Sequence, residues 1–304
     1  MDEFIKVNGL HKSFDNQKVL RNVDFSVEKG EIIGLLGPNG VGKTTFIRIL
    51  NGVIKPDKGT ISINGRNPIT DGDDIRRISG IVTESAGLYH QMSGEENLRF
   101  FGELYGVTDQ KRVEELLHHF DLSEHKDKMV GKYSTGMRKR LALAKALIHK
   151  PEILFLDEPT NGLDPDGIQQ VLSYLKKYNK VTGTTMIICS HVLHQLETVC
   201  HSFAFLENGS IVEQGTLPEL EDKYIKEVTV KVNTSYQTKD HFIKYPFRVT
   251  GSNMVTFDLP SKNDIPVLLR EILKTDAVYS VTLENTDLQS IYFKVRGQSH
   301  EQIH

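Results

Sequence analysis

An α/β fold with a small α+β unit behind it is the architecture this sequence predicts, and three observations carry that reading. Short apolar runs alternate with longer amphipathic ones up to about Leu217. The apolar runs end in polar residues, as buried parallel strands do when they carry a site at their ends. From about Tyr224 onward the pattern changes to strand, strand, helix, strand, which suits an antiparallel α+β unit. The expected division is therefore residues 1–222 and 223–304, with a helical subdomain at about 85–150 inside the first.

The elements follow in chain order. "EIIGLL" (31–36) reads as a buried strand, followed by a glycine-rich loop and the helical run "TTFIRILNGV". "MSGEENLRFFGELYG" opens with Ser93 and has Glu96 three residues later, a capping-box start for a helix. "YSTGMRKRLALAKAL" (133–147) reads as a helix entered through small residues. Its basic residues Arg138, Lys139 and Arg140 are expected on a solvated face. "EILFLD" (152–157) and "TMIICS" (185–190) are further buried strands, and Cys189 in the second reads as a small core residue. "FAFLENGSIVEQG" carries Asn208-Gly209 between two strand-like runs, a hairpin signal. The second unit offers strands in "EVTVKVN", "MVTFDL" and "AVYSVTLEN", a helix in "IPVLLREILK", and a polar tail "RGQSHEQIH" expected to fray.

Composition narrows the function classes. Of 304 residues, 25% are charged and the net charge is −3, which disfavours a protein that grips nucleic-acid backbones. Two cysteines are too few for a disulfide framework, so a reducing, cytoplasmic setting is expected. No apolar run approaches the ~20 residues of a membrane span. The opening "MDEFIKVNGL" does not look like a secretory leader, so a membrane role is expected to come through a partner.

"GPNGVGKT" fits G-x-x-x-x-G-K-[ST] in the setting that motif needs, between a strand and a helix. Gly37, Gly40 and Gly42 let the backbone, with Pro38, Asn39, Val41 and the following Thr45, curl around a phosphate chain. Lys43 reaches the terminal phosphates, and the Thr44 hydroxyl is placed for magnesium. A nucleotide's phosphate chain and Mg2+ are the expected ligands. A second cluster, Asp157-Glu158, ends an apolar strand. Asp157 is expected to join Thr44 on the metal and Glu158 to act as general base on water. Taken alone, the same pair also reads as a solvated turn.

The order and spacing of the phosphate loop, "YSTGM", "FLDEP", "NGLD" and "CSH" resemble the ATP-binding-cassette (ABC) transporter ATPases over about the first 220 residues. "YSTGM" stands where that family has Leu-Ser-Gly-Gly-Gln and keeps Ser134 and Gly136, a variant similar to single-cassette export ATPases with separately encoded membrane subunits. The resemblance implies a P-loop cassette that pairs head to tail with a second cassette, expected to be an identical copy. Ser134 and Gly136 would then meet a nucleotide held by the other copy's Lys43. Capping of its own helix is the other reading of Ser134. The resemblance also implies that His191 contacts the γ-phosphate, Asp164 communicates between cassettes and Phe14 stacks on adenine, unless Phe14 is core. Glu84 takes the place of a family Gln as a metal or water ligand, a departure that brings a negative charge to that place. Leu88, Tyr89 and Met92 either receive a helix of the membrane partner or belong to the subdomain core.

The expectation is an ATP-hydrolysing exporter subunit, peripheral on the inner face of the cell membrane through polytopic partners, with no nucleic-acid partner. A soluble cassette ATPase acting on ribosomes or DNA is the alternative. The single phosphate loop, the absence of a sustained heptad run and the lack of basic surplus disfavour it.

Overall fold

The computed structural model describes residues 3–15, 17–83, 87–235 and 244–301. The chain divides into two compact units, Met1–Gly215 and Thr216–His304.

The first unit begins with β1 (Glu3–Phe14) and β2 (Gln17–Glu28), two long antiparallel strands that sequence patterning left unassigned. β3 (Ile32–Leu36) follows, then α1 (Lys43–Leu50), β4 (Lys58–Ile63), α2 (Gly72–Ile78) and β5 (Ser79–Val82). The helical part holds α3 (Gly94–Leu104), α4 (Gln110–His119) and α5 (Thr135–Leu147). The chain then returns through β6 (Ile153–Asp157), α6 (Pro165–Thr182), β7 (Thr185–Cys189), α7 (Leu193–Val199), β8 (Ser202–Glu207) and β9 (Ser210–Thr216).

Six strands form one sheet in the order β5-β6-β7-β3-β8-β9, and β5, β6, β7, β3 and β8 run parallel. Every residue of β3, β6 and β7 is buried, which explains why these strands read as continuous apolar runs without alternation. Cys189 is buried among them, as expected of a small core residue. A separate antiparallel sheet, β2-β1-β4, contributes Phe4, Ile5, Leu20 and Phe25 to the same core.

Local signals acted where they were read. Ser93 caps α3 in a reciprocal box: its Oγ accepts from the Glu96 N–H, and the Glu96 carboxylate accepts from the Ser93 N–H. Asn208 and Gly209 both take positive φ, 49° and 82°, as a two-residue type I′ turn between β8 and β9 requires. The basic run on α5 is not a solvated face. Lys139 is buried, Arg138 donates to the Tyr133 carbonyl at 2.5 Å, and Arg140 pairs with Asp121 at 3.2 Å.

The second unit opens with α8 (Leu217–Tyr224), which packs on the last helix of the unit and so lies on the far side of the 215/216 division. β10 (Val228–Thr234), β11 (Phe247–Gly251) and β12 (Met254–Leu259) follow, then α9 (Ile265–Ile272), β13 (Val278–Glu284) and α10 (Leu288–Glu301). The sheet order is β11-β12-β10-β13, all antiparallel. β11 and α10 were not foreseen. α10 continues through the polar "RGQSHE", held by Leu288, Ile291 and Val295, so that stretch is helical rather than frayed.

Candidate functional site

β3 delivers the chain into the glycine loop at a point where a side chain has no room. At Gly37, φ is 154° and a Cβ would lie 2.3 Å from the Leu206 carbonyl oxygen. At Gly42, φ is 115° and a Cβ would meet Leu20 at 2.9 Å. Gly42 is also the residue before α1, where it offers no side-chain cap. The first amides of α1 therefore face the loop without a side-chain acceptor, which is the makings of an anion site. Lys43 is buried, and its Nζ donates to the carbonyls of Gly37 and Pro38 at 2.7 and 3.0 Å. Asn39 and Gly40 are exposed at the loop's tip, and Val41 and Thr45 are half-buried.

β6 brings the carboxylates to the same place. Thr44 Oγ1 donates to Asp157 Oδ2 at 2.8 Å, across 113 residues of sequence. Two hard oxygen donors at one edge of the loop suit magnesium, which takes few protein ligands and completes its shell from phosphates and water. Among the described residues no cluster of three His, Cys, Asp or Glu offers an all-protein cage.

Glu158 departs from the strand with φ 49°, an uncommon conformation for this residue, and its N–H donates to the Cys189 carbonyl at 2.9 Å. That turn aims its carboxylate at the end of β7. Glu158 Oε1 accepts from the His191 N–H at 3.1 Å and lies 2.9 Å from His191 Nδ1. The two residues were expected separately, and the structure joins them. A carboxylate so held can take a proton from water, with the imidazole fixing its direction. Behind the pair, burial and the nearby Asp157 push the Cys189 thiol well up, so it is inert there.

A cleft of about 950 Å³ is lined by Lys43, Thr44, Asp157, Glu158 and His191 together with Thr135 and Arg138. Ser134 is exposed before α5, and its Oγ accepts from the Met137 N–H at 3.1 Å. Gly136 is half-buried, and a Cβ there would lie 3.3 Å from Leu163. Asp164 caps α6 through the Gly167 N–H at 3.3 Å. Phe14 is 43% exposed, so it is not core. Lys12 Nζ lies 5.1 Å from its ring centroid, and Asp57 holds both Lys12 and the Ser13 N–H. Glu84 lies outside the described residues.

Tyr89 is 46% exposed and Leu88 and Met92 are half-buried, so none of the three is sealed in the subdomain core. Tyr89 stacks on Phe101 and meets Phe100 edge-on. The buried Asn97 clamps the loop beneath, accepting from the Tyr89 N–H and donating to the Tyr89 and Ser93 carbonyls. Lys145 reaches the Gly87 carbonyl at 3.1 Å over the Phe101 ring, and burial holds its ammonium down to about 8. Sequence reasoning missed both Asn97 and Lys145. Their only signal was a polar residue at a helix position where an apolar one would fit.

A phosphate-wrapping loop on a parallel sheet, with a Thr–Asp pair and a Glu–His pair at the strand ends, defines a P-loop nucleoside triphosphatase. The comparisons with known proteins narrow that class. Residues 20–161 match the family described as ABC transporter. The chain is 38% identical over 214 residues to the bacitracin transport ATP-binding protein BcrA of Bacillus licheniformis, covering 70% of each chain. It is 29% identical over 290 residues to the linearmycin resistance ATP-binding protein LnrL of Bacillus subtilis, covering 94% of this chain and 93% of that one. A solved structure of the ATP-binding subunit of an ABC transporter superposes with a TM-score of 0.68 at 30% identity, covering 73% of this chain and 93% of the other. The chain belongs to the ABC transporter ATP-binding proteins and is an ATPase.

Proposed function

We propose that this chain drives export through separately encoded, polytopic membrane subunits by closing on a second copy of itself around ATP. The observation that carries this is the convergence of Lys43, the Thr44–Asp157 pair and the Glu158–His191 pair on one cleft. The names of BcrA and LnrL, a transport protein and a resistance protein, favour outward movement of a toxic compound. Among the described residues no helix is long and apolar enough to cross a membrane. The membrane path is therefore assigned to partners, with this chain at their cytoplasmic face. Tyr89, with Leu88 and Met92 beside it, is the apolar surface offered to them.

Each residue then has a task. The amides of 37–45 and Lys43 bind the phosphates, and Phe14 stacks on the adenine. Thr44 and Asp157 would hold magnesium, which supplies positive charge to the phosphate oxygens when bound. Glu158 takes the proton of the attacking water, and His191 fixes the carboxylate and reaches the γ-phosphate. Ser134 and Gly136 cover a nucleotide held by the other copy. Nucleotide shared between two surfaces favours only the closed pair, and loss of the γ-phosphate withdraws that support. The cassette holds the helical subdomain at about 85–150, and the accessory unit follows the cassette.

The test is Glu158→Gln in the complex purified with its membrane subunits. Turnover is expected to fall roughly 10²-fold or more, the scale of a general base, while ATP-bound dimers persist. Turnover at the wild-type rate removes Glu158 from this role. Recovery of the chain with ribosomes rather than with a membrane protein would favour the soluble alternative.

A further inference from the structure

Two buried polar side chains behind the cleft tie the loop of Glu158 to the helix that follows His191. Thr160 and Gln195 are 5% and 8% exposed, and Thr160 Oγ1 donates to Gln195 Oε1 at 2.7 Å. Thr160 stands two residues beyond Glu158, and Gln195 stands on α7, four residues beyond His191. A buried hydroxyl-to-amide bond between two segments that both carry reacting groups sets the distance between those segments.

The rest of the local bonding shows why such a tie matters. Glu158 is held on the strand side by its N–H bond to the Cys189 carbonyl. Its φ of 49° is costly for a residue with a Cβ and persists only where the surroundings fix it. His191 is more than half exposed in its side chain, so packing does little to place the ring. α7 is only seven residues long and starts at Leu193 without a side-chain cap. Buried Leu196 and Val199 seat α7 on the core, and the Gln195 bond ties it to the Glu158 loop.

We propose that Gln195, acting through Thr160, is a positioning residue for hydrolysis: it fixes the Glu158 carboxylate and the His191 ring in the relation seen here. This rests on the reading of Glu158 as the base. The bond touches neither nucleotide nor water. It acts on the geometry of the pair, and a misplacement of about 1 Å in such a pair lowers rates by up to about 10²-fold.

The test separates positioning from simple satisfaction of buried groups. Thr160→Val keeps the shape and removes the hydroxyl, leaving the Gln195 oxygen buried without its donor. Thr160→Val combined with Gln195→Leu removes both polar partners, which restores stability when the bond serves only to satisfy buried groups. ATPase rate, KM for ATP and thermal midpoint are measured on the complex with its membrane subunits. Thr160→Val is expected to lower kcat roughly 10-fold or more with KM within about two-fold, and Thr160→Ser to stay within about two-fold of wild type. The double variant is expected to regain the thermal midpoint and to keep the low kcat. A double variant with wild-type kcat, or a Thr160→Val with unchanged kcat or a loss confined to KM, overturns the proposal. Should Thr160→Val fail to fold, wild type against the double variant decides alone. Glu158→Gln in the same preparation keeps the two readings apart: if it retains turnover, the base assignment falls, whereas if it is dead and Thr160→Val is fully active, only the positioning role falls.

Discussion

Two helices of the first unit are entered through small residues, and they begin differently. α1 starts behind Gly42, which has no side chain to cap it and a φ of 115° that keeps its backbone tight against the loop. α5 starts behind Ser134, whose hydroxyl oxygen accepts the Met137 N–H at 3.1 Å. The first end leaves its amides to an anion and adds a lysine whose ammonium is already gathered over the loop by the Gly37 and Pro38 carbonyls. The second satisfies one amide internally. The two readings of Ser134 thus stop being rivals. A hydroxyl has one proton to give and two lone pairs, so capping uses a lone pair and leaves the proton free for a phosphate oxygen. The uncapped end has open amides to offer an anion, and the capped end can lend a donor without giving up its own helix.

The largest effect should come from the uncapped end. Lys43→Ala removes a buried cation from the phosphate loop. Charge-assisted hydrogen bonds are worth about 1.5–3 kcal/mol each, so ATP affinity is expected to fall about 100-fold or more by calorimetry. Unchanged affinity would mean that α1 is not the anion end and would erase the contrast. A smaller and more selective effect is expected at the capped end. Ser134→Arg, in a Glu158→Gln background, should leave ATP affinity of the single chain intact while light scattering shows no ATP-driven dimer. Dimers that form as before would show that α5 does not face a second copy.

The same contrast explains how much could be read from sequence. The glycine loop was legible because backbone geometry dictates residue type: at Gly37 and Gly42 only glycine fits, so the letters carry the shape. The fully buried strands β3, β6 and β7 were legible because parallel sheets covered on both faces need unbroken apolar runs. β1 and β2 were not, because their partly exposed patterns match no clean period and a sheet of three was needed to define them. α10 escaped for the opposite reason. Its apolar positions are few, and polar letters at its end concealed a helix held by packing. At the candidate site, Glu158 and His191 were singled out one by one from their motifs. Their contact was not, because it depends on a positive φ at Glu158 that no glycine announces. The Thr160–Gln195 bond was hidden too, since it joins residues 35 apart across two strand ends.

The smallest effect bears on the cap itself. Within the single chain, Ser134→Ala removes the acceptor for the Met137 N–H. That amide lies near an exposed helix start, so water replaces part of the lost bond. The expected cost is about 1 kcal/mol in urea unfolding, with Ser134→Asn nearer to wild type and Ser134→Gly losing only a few tenths. Gly42 offers no such series: a side chain there meets Leu20 and the Val19 carbonyl and strains the backbone, so Gly42→Ala should cost more than any cap is worth. If Ser134→Ala leaves stability unchanged, the bond to Met137 does not persist in solution. The start of α5 would then be as open as the start of α1, and the difference between the two ends would have to come from Lys43 alone.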